Sequence, residues 1–205
     1  MKKKSKFFIH SLPIVILLHV LLFLKSNAQV TDNTYFIGLT PSSSYETING
    51  LGISYSFLAF EKQHTNVNGI RLSVEPFSMF MPFLTIIHAP FMEATGDDLT
   101  YDFKYDNIIN GINLTLFDPN ISKINGLEIN VSGSRGTVTN GMSVGLVNMH
   151  YKISGISLGI LRNRSKKCRG IQIGLVNECE NLKGLQIGLW NKNSKRNMPF
   201  INWNF

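Results

Sequence analysis

Eight short stretches of the chain share one arrangement of apolar and polar residues. Gly50 opens Leu51-Gly52-Ile53-Ser54-Tyr55, and Gly69 opens Ile70-Arg71-Leu72-Ser73-Val74. Gly111, Gly126, Gly141 and Gly155 open four more. Gly170 opens Ile171-Gln172-Ile173-Gly174-Leu175-Val176-Asn177, and Gly184 opens Leu185-Gln186-Ile187-Gly188-Leu189-Trp190-Asn191. In all eight, the first, third and fifth residues after the glycine are large and apolar, while the second and fourth are polar or glycine. A period of two predicts a β-strand with one apolar face and one polar or bare face. A helix would scatter the same residues around its circumference. The glycines, with asparagine often beside them, are turn residues that tolerate positive φ where the chain changes direction.

Further strands are predicted around the repeats. Tyr35–Leu39 opens the domain, Leu99–Asp106 alternates, Phe83–His88 can hold one more strand, and Phe200–Phe205 sets Ile201, Trp203 and Phe205 against asparagines. The class is all-β, with about 12 strands.

Single-strand repeats can be laid down as an antiparallel up-and-down meander or as a parallel β-solenoid of 14–15-residue coils. From Gly126 the glycine spacing alternates 15, 14, 15, 14. Turns at opposite ends of a meander predict that alternation, whereas equivalent coils do not. The asparagines at 148, 163, 177 and 191 instead suit a stacked ladder, although the slot seven residues after Gly155 holds Arg162. The spacing favours the meander. Closing it into a barrel removes the exposed edges that a long meander would otherwise carry.

Residues 1–28 read as a cleaved secretory signal peptide. Met1–Lys6 is basic, Phe7–Leu24 is almost wholly apolar, and Ser26-Asn27-Ala28 supplies small residues before a cut at Gln29. Residues 29–205 then form a single repeat-built β domain. Removing the leader lowers Lys plus Arg from 20 to 15 against 13 acids, so the formal charge falls from +7 to +2. The high pI therefore belongs mostly to the export signal, and nucleic acid is not an expected partner. Cys168 and Cys179 are the only cysteines, too few for a disulfide scaffold. On one extended meander strand they would stand ~36 Å apart, which predicts two free thiols.

Export and a closed barrel together point to the outer membrane of a Gram-negative cell, with the apolar face toward lipid and the Gln, Gly and Ser face inside. The terminal Ile201, Trp203 and Phe205 resemble the last strand of bacterial outer-membrane barrels. Against insertion, three alternating apolar residues span only ~14 Å, while a barrel's lipid band is ~25 Å tall. The octets, closest in Gly170–Asn191 and looser over Gly111–Arg162, resemble a family of bacterial surface-repeat proteins built from Gly-apolar-Gln-apolar-Gly-apolar-apolar-Asn units. The resemblance implies export and surface location without a characterised activity.

Candidate chemistry is sparse. His64, His88 and His150 lie far apart, and no Gly-x-Ser-x-Gly or His-Glu-x-x-His motif occurs. Glu93, Asp97, Asp98, Asp102 and Asp106 cluster without calcium-loop spacing and read as a solvated loop. Arg162–Lys167 reads as an exposed basic turn that can touch anionic lipid phosphates, and Trp190 and Trp203 as interface anchors or plain packing. No catalytic, cofactor-binding or metal-binding residue is assigned, and no cofactor is expected. The expectation is a non-catalytic outer-membrane or cell-surface protein with a structural or binding role, in contact with lipid. The alternatives are a soluble secreted or periplasmic solenoid that binds a partner, and a narrow solute channel.

Overall fold

The computed structural model describes residues 33–40, 46–54, 65–73, 107–117, 122–132 and 137–205. The leader, the Leu99–Asp106 strand and the Phe83–His88 strand lie outside the described residues. Within the unit Thr34–Phe205, the strands are β1 (Thr34–Thr40), β2 (Glu46–Ser54), β3 (Thr65–Ser73), β4 (Asn107–Phe117), β5 (Ser122–Ser132), β6 (Val138–Asn193) and β7 (Asn197–Asn204). They form one sheet in sequence order.

Every pairing from β1 to β6 is parallel. The protein is all-β, but it is a parallel β-solenoid, and the expected antiparallel meander closed into a barrel is not what the chain forms. The repeat glycines fall in register: Gly50 pairs Gly69, then Gly111, Gly126 and Gly141 in turn. β6 continues the stack, with Gly155 over Gly141, Gly170 over Gly155 and Gly184 over Gly170. Among the described strands only β7 runs antiparallel, pairing with the last repeat from Gly184 to Lys192.

The glycines make this stacking possible. All eight have φ between +132° and +150°, a backbone conformation that is essentially reserved for glycine. A Cβ on each from Gly69 to Gly184 would also strike the carbonyl oxygen of the glycine one rung earlier. The residue therefore bends each coil and lets successive coils approach at strand spacing. In the repeat from Gly155 to Gly170, the 15-residue spacing comes from one extra residue at the corner before Asn163. Asn163 still takes the stacked position, and Arg162 is displaced from it.

Alternation distinguishes two faces without saying which is inside. Here the polar residues point inward: Ser143, Ser157, Gln172 and Gln186 are all buried. The apolar interior lies mainly in a separate column, two residues before every repeat glycine except Gly141, where Thr139 stands. Ile48, Val67, Ile109 and Ile124 form one buried cluster, and Ile153, Cys168, Cys179 and Leu182 form another.

Substituting Gly170→Ala forces a Cβ into both a forbidden φ and the backbone of the Gly155 rung. The expected loss is about 2–4 kcal/mol, read as a shift in the denaturation midpoint. A change under ~0.5 kcal/mol would contradict the stacking.

Candidate functional site: an outward apolar face over a polar interior

The repeat's asparagine turns the corner of each coil. Asn148 Nδ2 donates to Asn163 Oδ1 at 3.0 Å, Asn163 to Asn177 at 2.7 Å, and Asn177 to Asn191 at 2.8 Å. The same amides hold backbone: Asn177 Nδ2 lies 3.2 Å from the Gly174 carbonyl oxygen, and Asn191 Nδ2 lies 3.0 Å from that of Gly188. Glycine at 174 leaves the space, since a Cβ there would come within 2.7 Å of the Asn163 amide. The octet is thus a corner lock repeated coil after coil, and its small and polar residues serve packing.

A second ladder runs along the outside, immediately before the glycines. Asn68, Asn110, Asn125 and Asn140 each donate to the asparagine of the preceding rung, starting at Asn49, over 2.8–2.9 Å. Beside the inner ladder, Gln186 Nε2 donates to Gln172 Oε1 at 2.8 Å, and Asn202 of β7 donates to Gln186 Oε1 at 2.9 Å.

Toward the N-terminal coils the inward column carries charge. Arg71 is fully buried, its guanidinium donating to Thr40 and Ser54 hydroxyls and to Asn113 Oδ1 at 2.9–3.1 Å. Glu128 Oε2 accepts from Thr139 Oγ1 at 3.0 Å and lies 2.9 Å from His150 Nε2. His150 is therefore a buried structural partner, while His64 and His88 lie outside the described residues, as does the acidic cluster from Glu93 to Asp106. Among the described residues no group of three His, Cys, Asp or Glu side chains is placed to hold a metal ion, and no helix is long and apolar enough to cross a membrane.

The two cysteines, far from being ~36 Å apart, meet inside one coil. Both are free thiols, both are buried, and they hydrogen-bond to each other. That bond, reinforced by burial, pushes the Cys168 thiol far above its usual range, while the same bond, helped by Ser165, lowers Cys179. Cys179 is thus the member that ionises first.

The basic segment Arg162–Lys167 is not a hairpin turn but part of β6. Arg162 Nη2 lies 2.8 Å and Arg164 Nε 3.7 Å from Glu178 Oε2. The Lys166 and Lys167 ammonium groups sit 5.9 and 5.4 Å from the Tyr151 ring centroid.

The outward surface is the unusual feature. Described residues at the first, third and fifth places after each glycine are all at least partly exposed. Ile160 is 64 % and Leu189 61 % accessible. β7 extends this face, setting Trp203 opposite Leu185 and Ile201 opposite Ile187. Trp190 and Trp203 are both exposed, and the Arg196 guanidinium stacks 4.5 Å from the Trp203 ring. Eight rungs at ~4.8 Å and a five-residue width give a face about 34 Å by 14 Å. That places it in the range of the largest apolar patches on monomers, about 300–600 Å², which are often functional.

Comparison with protein-family models, with curated proteins and with solved structures finds no match for this chain.

The two asparagine ladders should differ in weight. Asn163→Ala removes both links of a buried chain and is expected to cost about 2–4 kcal/mol. Asn68→Ala, on the exposed ladder, should cost under ~1 kcal/mol because water replaces the lost bonds. Equal losses in urea melts would contradict an interior lock. The thiols supply a second check. During refolding with oxidised glutathione, one cysteine thiolate attacks the reagent and releases one glutathione thiolate, and the thiolate of the other then displaces the second. Thiol counting after denaturation should fall from two per chain to none, and the closed loop should add about 3 kcal/mol. Two persistent thiols would contradict the contact.

Proposed function

We propose that the protein is an exported, non-catalytic β-solenoid of the cell surface that lies on lipid through its apolar face. The observation that carries this reading is the continuous outward sheet of isoleucine, leucine, valine and methionine side chains, ending in exposed aromatic residues. Such a face is unfavourable in water at about 25 cal/mol per Å², so a covering surface is expected. Lipid is favoured as the occupant by what borders the face. Lys192, Lys195 and Arg196 lie at the β7 end. No described residue at the first, third or fifth place carries a carboxylate. Apolar area flanked by cations, with tryptophan and phenylalanine at the rim, suits an anionic interface. The basic leader, the small-residue exit before Gln29 and the likeness to surface-repeat proteins support export.

In this reading the protein sits on a membrane as a peripheral component. The solute channel loses the barrel that it required, because the coil interior is filled by side chains. A soluble secreted or periplasmic solenoid that binds a protein along its flank is the competing reading, favoured by the architecture alone.

Co-flotation with phosphatidylcholine vesicles, and retention with the outer-membrane fraction after a high-salt wash, are the expected outcomes. Ile173→Gln combined with Ile187→Gln alters only outward positions and stacks no like charges, so the thermal midpoint should hold while flotation is lost. A wild-type protein that stays in the soluble fraction, or that sediments as a dimer and does not float, would sink the lipid reading.

A further inference from the structure

Charge is distributed unevenly along the chain. Residues 137–205 hold ten lysines and arginines against two acids, Glu178 and Glu180, whereas residues 29–136 hold five against eleven. Part of the excess is compensated, because Arg162 and Arg164 share Glu178. On the other side of the glycine bend, the residues that precede Gly155, Gly170 and Gly184 are not balanced in this way. Lys152 and Lys167 occupy the third place before Gly155 and Gly170, and Asn181 occupies it before Gly184. Arg169 and Lys183 occupy the place immediately before Gly170 and Gly184.

These residues line one open cavity of about 300 Å³, with Ile153 and Cys168 completing its lining. Four of the seven lining residues are cations, and none is an acid. All four cations are exposed, so their heads can move to meet a ligand. Parallel, in-register stacking sets equivalent side chains of adjacent rungs ~4.8 Å apart at the backbone, and like charges so placed destabilise a sheet. Lys152 over Lys167, and Arg169 over Lys183, are two such pairs side by side. In earlier repeats the place before the glycine is held by asparagine, which forms the exposed ladder. The chain has replaced a self-satisfying column with a self-repelling one over adjoining coils.

We propose that this cavity is a binding site for a phosphate group. A multiply charged oxyanion relieves both repulsive pairs at once. The arginine offers a planar fork matched to two phosphate oxygens, and the lysines supply point charges around it. The volume lies at the lower end of small-ligand sites, so it accepts a phosphate or diphosphate head and leaves any attached chain outside. The same chemistry is presented by free phosphate compounds and by a lipid headgroup. The site lies across the glycine bend from the apolar face and stands whether or not that face meets lipid.

The test is titration with inorganic pyrophosphate in chloride buffer, alongside flotation with phosphatidylcholine vesicles that contain or lack phosphatidic acid. Saturable pyrophosphate binding that raises the thermal midpoint assigns a free phosphate ligand. Preference for the acidic vesicles without pyrophosphate binding assigns a headgroup. In either arm Arg169→Gln and Lys183→Gln should each weaken binding about fivefold. Lys123→Gln, on β5 and outside the cavity, should leave binding unchanged. The double variant R169Q/K183Q should melt no lower than wild type without ligand, since it removes like-charge contacts. Absence of binding in both arms would overturn the proposal, and so would an equal loss in Lys123→Gln, which would reduce the effect to net charge.

Discussion

The close approach of one glycine to the glycine of the next coil is the constraint on which the rest of the structure depends. With no side chain at this point, successive coils stack at strand spacing while the backbone bends, and every other position then falls directly over its equivalent. Stacking makes identical side chains neighbours. Asparagine can donate to and accept from another asparagine without end, so a column of them satisfies itself through the interior. Leucine and isoleucine tolerate their own kind equally well on the outside. Lysine and arginine do not, and the basic rows near Gly170 and Gly184 are the place where the rule of like over like is broken.

The interior that results is narrow and largely polar, which inverts the usual arrangement of a soluble β-protein. Each coil encloses little more than the width of two opposing side chains. Glutamine, serine and asparagine fill that space with hydrogen bonds between rungs, and two apolar clusters, Ile48 to Ile124 and Ile153 to Leu182, supply the hydrophobic part of the core. Buried charge is admitted only where it is paired, as at Arg71 with its three acceptors and Glu128 with Thr139 and His150. Larger apolar residues are left to the exterior.

Much of this was legible in the residues. The period of two, the glycine starts and the aligned asparagines at 148, 163, 177 and 191 define the strands and anticipate the ladder. The pairing sense was not legible, because alternation records which residues share a face and is silent on the direction of the neighbouring strand. The 15, 14 spacing misled in part for a local reason: one added residue before Asn163 lengthens the Gly155–Gly170 interval as a longer turn would. The inward sense was equally hidden, since an apolar face can serve lipid, solvent or core. A signal for the true core was nevertheless present in the apolar residue two places before most of the glycines, a column that also explains why Cys168 lies inside. The phosphate cavity left no motif, because its cations come from different coils and meet only through the stacking.

Gly69 and Gly111 pair as adjacent rungs although 42 residues separate them, whereas the later glycines pair across 14 or 15. Register is thus set by matching side chains between coils and is indifferent to the length of chain that connects them. A fold with this property can accept new sequence at its corners, or gain and lose whole coils, without renegotiating the contacts on either side. At the C-terminal end β7 runs against the last coil and pairs with its edge from Gly184 to Lys192. The molecule therefore combines a body open to duplication with a last described coil that is covered by a strand of opposite sense.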